Sequence, residues 1–453
     1  MKELLSQLDQ DRKRHFNELC ELLRIPSVST DPARRGEVQR CAEAVAARLK
    51  QAGIQAEVFK TAGHPVVYGE WLQAPGKPTV LVYGHYDVQP PDPLDLWTSP
   101  PFEPTVRDGQ LYARGAADDK GQFFIHIAAA EAHLRRSGRL PINLKFVLEG
   151  EEEIGSPSLE PFVKENRRKL KADVALISDT PFFDRGLPTI CTGLRGLAYL
   201  ELRLVGPNRD LHSGTYGGAV RNPAEELARL IAQLKDDQGR VLIPGFYDDV
   251  RQLTPREREE LSRLPFDESA YAADLGVEAL HGETGYSTLE RTTARPTLEV
   301  NGLLSGWTGE GSKTVLPSKA MAKVSMRLVT NQDPAKIARL FTEHVKSLAP
   351  AGVRLEVLSL HGGKPFLADL DHPAVQAAAR ALEQAFGKRP VFSREGGTIP
   401  IAASFKEQLG LTSVFMGIGV PDENLHAPDE HLDLDNFYGG IRASALFLQE
   451  YAG

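Results

Sequence analysis

Apolar positions along this chain switch repeatedly between helical spacing and short continuous runs. Leu4, Leu5, Leu8, Phe16, Leu19, Leu22 and Leu23 recur at helical intervals until Pro26, which predicts an amphipathic helix. A second helix is expected from Glu37 to Gln51, stopped at Gly53, with strands at Ala56–Phe59 and Val66–Trp71 behind it. Thr79-Val80-Leu81-Val82-Tyr83 is rich in β-branched and aromatic residues and lies between Pro78 and Gly84, so it reads as a buried strand opening into a loop. Farther on, Phe124, Ile127, Ala128 and Leu134 share one side of a helix ending at Gly138, and Ile142–Leu148 forms another strand. Ser156 and Pro157 supply the cap and first turn of an expected helix running to about Leu170, followed by a strand at Val174–Ser178. Such alternation predicts an α/β domain with a largely parallel sheet.

From Gly196 the order changes. Strands at Gly196–Val205, Pro296–Leu303, Lys319–Val329 and Arg354–Leu360, with helices from Asn222-Pro223 to Leu234 and from Pro334 to about Leu348, give the β-α-β-β-α-β order of a ferredoxin-like α+β domain. A charged insertion, about 236–295, interrupts it, and its run Arg256-Glu257-Arg258-Glu259-Glu260 reads as a solvated helix face. The α/β pattern resumes with a helix at Pro373–Phe386 and a strand at Ser413–Met416. The expected organisation is a first catalytic segment, 1–195, an inserted domain, 196–362, and a second catalytic segment, 363–453.

Composition narrows the classes. A chain of 453 residues exceeds what one core usually supports. Its net charge of -8 lacks the basic face that nucleic-acid binding requires, and no apolar stretch reaches the length of a membrane span. Three widely spaced cysteines indicate neither a disulfide framework nor a thiolate metal site, and the N-terminus runs straight into charge without a signal-peptide core. A cytoplasmic location is expected.

The candidate chemistry sits at strand ends. His85 and Asp87 follow the Thr79–Tyr83 run and, two apart on extended backbone, point to the same side, so Asp87 can orient an imidazole whose other nitrogen binds a metal. Alone, a His-x-Asp pair is more often an ordinary loop contact. However, Glu149-Gly150-Glu151-Glu152-Glu153 and Asp179 also lie just past strand carboxyl ends, and Asp118 stands in a glycine-bounded loop before a helix. Carboxylates gathered at one edge repel one another unless a cation joins them, and imidazole plus carboxylate without thiolate suits zinc or manganese.

Five ordered motifs carry a resemblance over nearly the whole chain: Gly84-His85-Tyr86-Asp87-Val88-Gln89-Pro90, Arg114-Gly115-Ala116-Ala117-Asp118-Asp119-Lys120-Gly121, Glu149 to Ser156, Ile177-Ser178-Asp179, and Asn424-Leu425-His426-Ala427-Pro428-Asp429-Glu430. The chain resembles the co-catalytic metallopeptidases of the aminoacylase, glutamate carboxypeptidase and carnosine dipeptidase kind, in particular the cytosolic nonspecific dipeptidase branch. That resemblance implies a zinc-exopeptidase-like catalytic domain with an inserted lid and dimerisation domain, and two divalent ions per subunit, zinc or else manganese. His85 and Asp179 would bind one ion, Glu153 and His426 the other, and Asp118 both. Asp87 would orient His85, and Glu152 would be the general base that activates a water bridging the ions. His212, in Asp210-Leu211-His212-Ser213-Gly214, would stabilise the oxyanion; Thr314, Arg327, Gly397 and Thr398 would hold the substrate carboxylate and backbone.

Where the family's dipeptidases have methionine and serine, this chain has Glu151 and Ile154, so three successive glutamates leave the base open between Glu151 and Glu152. Anchoring on Glu149-Gly150 and Gly155-Ser156 selects Glu152. His431 competes with His426 as a ligand, and the position of Glu430 selects His426. His15, His64, His126, His133, His281, His344 and His372 carry no motif and read as surface or helix-face residues. The expected activity is hydrolysis of dipeptides or very short peptides by a homodimer paired through its lids. The alternative is removal of an N-acyl group, as in acetylornithine deacetylase or succinyl-diaminopimelate desuccinylase. A non-catalytic metal-holding relative would have no use for Glu152.

Overall fold

The computed structural model describes residues 2–397 and 399–453, and these divide into two compact units, Met1–Thr192 with Ala368–Ser393 and Ser404–Gly453, and Gly193–Leu367 with Arg394–Ala403. Each unit has its own sheet.

In the first unit, strands run in the order Gln55–Phe59, Val66–Trp71, Asn143–Glu149, Thr79–His85, Val174–Ile177, Thr412–Phe415 and Thr189–Leu194. The middle four are mutually parallel, with His85 opposite Glu149, and with both Tyr83 and Phe415 opposite Ile177. Parallel strands buried on both faces are apolar throughout rather than alternating, which is why Val80 to Tyr83, Phe146 to Leu148 and Val174 to Ile177 are all buried. Their carboxyl ends share one edge, and the loops leaving them carry the acidic residues. The helix Lys120–Ser137 is buried on all sides from Lys120 to His133. It packs on the Thr79–His85 strand and on the C-terminal helix Leu434–Ala452.

The second unit is a four-stranded antiparallel sheet in the order Thr297–Ser305, Lys319–Leu328, Gly196–Val205, Arg354–Gly363. Helices Pro223–Ala232 and Pro334–Leu348 cover it, and Leu200, Leu202, Val324, Met326, Leu227, Ile337 and Phe341 form its core. Strands and helices follow the ferredoxin-like order.

Three local expectations need correction. The helix expected from Ser156 to Leu170 is only Leu159–Glu165, because Ser156 takes a left-handed φ of 52° and the Glu151 carboxylate accepts from Ser158 N instead. The N-terminal amphipathic run forms two helices, Lys2–Gln10 and Arg12–Leu23. Within the solvated run, Glu257 is half-buried: it closes a capping box on Thr254 and bonds the guanidiniums of Arg251 and Arg394. Among the described residues, no helix is long and apolar enough to cross a membrane.

Candidate metal centre

His85 ends its strand next to Gly84, where a Cβ would stand 2.6 Å from Phe123 Cβ and 2.7 Å from Asp119 Oδ2. The absent side chain lets the central helix approach, and Asp119 Oδ2 accepts from His85 N at 3.1 Å. Asp119 is a buried contributor that sequence reasoning passed over; its only trace there was its place beside Asp118. A cis peptide joins the two aspartates.

Asp118 is set by a distant carboxylate. Buried Glu430 accepts from Arg114 Nη1 at 2.6 Å, Gly115 N at 3.0 Å, Ala117 N at 3.0 Å and Asp118 N at 3.1 Å. Asp87 works in a comparable way. His85 Nδ1 lies 3.2 Å from the Asp87 carbonyl and 3.5 Å from its carboxylate, while that carboxylate accepts from the backbone N–H groups of Glu152 and Glu153, both at 3.2 Å. Asp87 thus touches His85 as expected, and its carboxylate also holds the two glutamates, which the sequence did not reveal.

These contacts gather two groups of donors. One donor atom each from His85, Asp118 and Asp179 lie within 4.8 Å of one another, as do donors from Asp118, Glu153 and His426, so Asp118 belongs to both groups. His426 Nε2 lies 2.9 Å from Asp118 Oδ2 and 3.4 Å from Glu153 Oε2, and Gln89 Nε2 donates to Glu153 at 2.7 Å. Glu152 stands beside the groups without joining either. Glu151 faces elsewhere, accepting from His64 N at 2.7 Å and Ser158 N at 2.9 Å. His431 stacks on Tyr112, with ring centroids 4.8 Å apart, and is absent from both groups.

The donor set fits divalent cations. His85 Nε2, fully buried, is 3.0 Å from Asp118 Oδ1 yet makes no hydrogen bond, the relation of two ligands facing a shared ion. Burial and the Asp118 charge push the Glu153 carboxyl up to about 8, and the same two causes raise Asp179 well above the carboxylate range. Burial likewise raises Glu152. Asp118 itself is held low: burial pushes it up, but the His426 and His85 imidazoles outweigh burial. A cation would offset both the burial and the Asp118 charge that raise its neighbours.

The remaining described candidates, His212, Thr314, Arg327 and Gly397, lie in the second unit. His212 is exposed and pairs with Val315, while Ser213 N donates to the Thr314 carbonyl at 3.1 Å, so His212 and Thr314 are neighbours. Arg327 is half-buried in its strand, between Thr297 and Leu197. An added Cβ at Gly397 would meet nothing within 4 Å, and Thr398 lies outside the described residues. Of the histidines read as surface or helix-face residues, four are buried: His15, His126 and His133 on helices, and His64 in a loop. His126 is enclosed between Ser178 Oγ and Ser444 Oγ, each at 2.8 Å, and burial pushes it down to about 3.

Residues 81–450 match the sequence profile of peptidase family M20/M25/M40. The chain is 33% identical to the Cys-Gly metallodipeptidase dug1 of Schizosaccharomyces pombe, over 98% of this chain and 97% of that protein. Human carnosine dipeptidase 1 has a similar structure, with a TM-score of 0.83 and 31% identity over 100% of this chain and 98% of that one. So does the metallo-carboxypeptidase Sso-CP2 of Sulfolobus solfataricus, with a TM-score of 0.86 and 36% identity over 97% and 99%. With a profile match over most of its length and relatives aligned nearly end to end, the chain belongs to peptidase family M20/M25/M40.

Proposed function

We propose that this chain is a metal-dependent dipeptidase that hydrolyses the peptide bond of dipeptides and very short peptides with Glu152 as general base. The observation that carries this reading is the pair of donor groups sharing Asp118, with Glu152 half-buried beside them and in neither. His85 and Asp179 would hold one divalent ion, Glu153 and His426 the other, and Asp118 would belong to both sets. Zinc suits this mixture of imidazole and carboxylate, with manganese the alternative. When bound, the ions polarise the scissile carbonyl and acidify the attacking water.

Glu152 takes that water's proton and delivers it to the leaving amine nitrogen, and burial moves its pKa toward the range such a shuttle needs. Asp87 fixes the Glu152 and Glu153 backbone and so sets base and ligand in one step. His212 donates to the oxyanion. Its Nδ1 accepts from Gly214 N at 3.0 Å, which leaves the proton on Nε2, the nitrogen free to donate. Arg327, Thr314, Gly397 and Thr398 hold the substrate carboxylate and backbone.

The active species is a homodimer paired through its lids, with His212 presented to the partner's ions. Among the described residues, the strand Thr297–Ser305 has a neighbour on one side only and exposes Val300, Leu303 and Leu304, with Trp307 just beyond. An open apolar edge of this kind favours pairing with a second copy. Three buried cysteines, none of them in a disulfide, suit a reducing cytoplasm.

Relatives named Cys-Gly metallodipeptidase and Beta-Ala-His dipeptidase favour dipeptides, whereas the name of the 36% identical structure favours a carboxypeptidase acting on longer chains. The test is a panel assayed after chelation and reloading with zinc or manganese. Dipeptides should be cleaved fastest, tripeptides slowly and a ten-residue peptide hardly at all. Efficient trimming of the ten-residue peptide would favour the carboxypeptidase, and preference for N-acetyl or N-succinyl amino acids would favour the deacylase.

A further inference from the structure

Two buried polar side chains of the helix Lys120–Ser137, Gln122 and His126, stand four residues apart and so share one face. Each reaches a segment of the first unit that carries a proposed metal ligand. Gln122 Nε2 donates to the Ala117 carbonyl at 3.0 Å, one residue before Asp118, and its Oε1 accepts from Ile418 N at 2.9 Å. His126 Nε2 lies 2.8 Å from Ser178 Oγ, one residue before Asp179. Asp119, at the start of the same helix, accepts from His85 N. All three members of the His85, Asp118 and Asp179 group are thereby tied to one helix. Glu153 of the other group is held instead by Asp87 and Gln89, in the loop after the Thr79–His85 strand.

The hydrogen bonds around His126 have a fixed direction. Ser178 Oγ gives its hydrogen to the Met416 carbonyl at 2.6 Å, so His126 must donate to that hydroxyl through Nε2. Nδ1 is then the bare nitrogen, and Ser444 Oγ donates to it at 2.8 Å. Met416 N donates in turn to the Ile177 carbonyl at 2.9 Å, and Phe182 N to the Gly419 carbonyl at 2.7 Å, so segment 177–182 runs against segment 416–419. That seam has no slack, since a Cβ at Gly417 would stand 1.8 Å from the Thr180 carbonyl oxygen. Among the described residues the Asp179 carboxylate accepts no hydrogen bond, so its place follows from the backbone on either side of it. Ser178 ties that backbone to the helix, and the cost of leaving a buried donor unmet keeps the hydroxyl and the imidazole together.

We propose that His126 is a positioning residue for metal binding, acting through Ser178 to set Asp179 on the helix that also sets Asp118 and His85. Its loss therefore weakens the ion of the His85 and Asp179 group and spares the ion of Glu153 and His426. The inference rests on the reading that each donor group holds one ion. Asp118 belongs to both groups, but its loop is fixed independently by Glu430, so a disturbance that enters at Ser178 reaches one group alone.

The experiment is a calorimetric titration of the metal-stripped protein with zinc, in which the wild type should take up two ions per chain. His126→Leu should weaken one ion by roughly 10- to 100-fold and leave the other within about threefold of wild type. Ser178→Ala, which removes a single oxygen, should do the same, and it decides the matter if His126→Leu does not fold. His126→Gln, whose amide can donate to Ser178 and accept from Ser444, should keep both ions. Coupling assigns the weakened ion: added to Asp179→Asn, His126→Leu should hardly change the ion that remains, whereas added to His426→Asn it should weaken it. Two ions of wild-type affinity in both His126→Leu and Ser178→Ala overturn the inference. So does a loss shared equally by the two ions, which marks a structural role alone. A wild type that takes up fewer than two ions overturns the two-ion reading, and the inference falls with it.

Discussion

Replacing Glu430 by glutamine removes one charge and almost no volume, so it isolates what that carboxylate does for the Asp118 loop. Four donors converge on it, two on each oxygen: Arg114 Nη1 and Gly115 N on Oε2, Ala117 N and Asp118 N on Oε1. An amide offers one acceptor and turns two hydrogens toward donors, so one pair loses its partner whichever way the group is turned. The larger cost is electrostatic. Arg114 and Glu430 are almost wholly buried, 1% and 0% exposed, and breaking a buried pair from one side costs about 3–5 kcal/mol. Each orphaned backbone donor adds about 1–3 kcal/mol, less whatever relaxation recovers. That is a large share of a typical stability of about 5–15 kcal/mol, but it falls on the segment that carries Asp118, so metal binding should fail before the fold does. Expected for Glu430→Gln are metal affinity lowered at least about tenfold and a metal-free protein destabilised by about 3 kcal/mol or more. Elemental analysis after dialysis against graded metal and urea unfolding of the stripped protein read the two effects. Wild-type metal affinity together with stability within about 1 kcal/mol of wild type would refute the reasoning.

His212→Ala should lose about 10²–10³ in turnover while binding metal normally, and mixing it with Glu152→Gln under subunit exchange should recover part of the activity; a mixture that demonstrably exchanges yet stays inactive would place His212 in its own chain's reaction or in lid packing alone. His126 should make the protein acid-sensitive. Its folded pKa, about 3, lies below the unfolded value of about 6.5, so its contribution is complete above pH 6.5 and is lost as pH falls toward 3. Between pH 7 and pH 5 this amounts to about 2 kcal/mol, which urea midpoints of wild type and His126→Gln should show as a difference in pH slope; parallel slopes would contradict it.

Much of the architecture was readable because its causes are local. Val80 to Tyr83 is apolar throughout, as suits a central parallel strand, and His85, Glu152, Glu153 and Asp179 lie at or just past strand ends. Contacts that span the chain were not readable. Nothing near Glu430 shows that it caps a loop more than 300 residues earlier, and nothing near His126 shows that Ser178 and Ser444 will enclose it. Glu257 sits in a run whose other charges are mostly solvated, and only folding brings Arg394 to it, 137 residues away. The three glutamates show the same limit: Glu151 is occupied by backbone donors of His64 and Ser158, the first of them 87 residues distant, and this leaves Glu152 and Glu153 toward the donor groups. Ser156 misled for a different reason, since a serine before a proline suits a helix cap and a turn equally well.

The central claim, that Glu152 moves the proton while its neighbour holds metal, is tested most directly by measuring metal content and dipeptide turnover on the same preparations of Glu152→Gln and Glu153→Gln. The account predicts that Glu152→Gln retains both ions and loses roughly 10²–10⁴ in kcat, whereas Glu153→Gln loses metal together with activity. Full turnover in Glu152→Gln, with the loss appearing in Glu151→Gln instead, would contradict it.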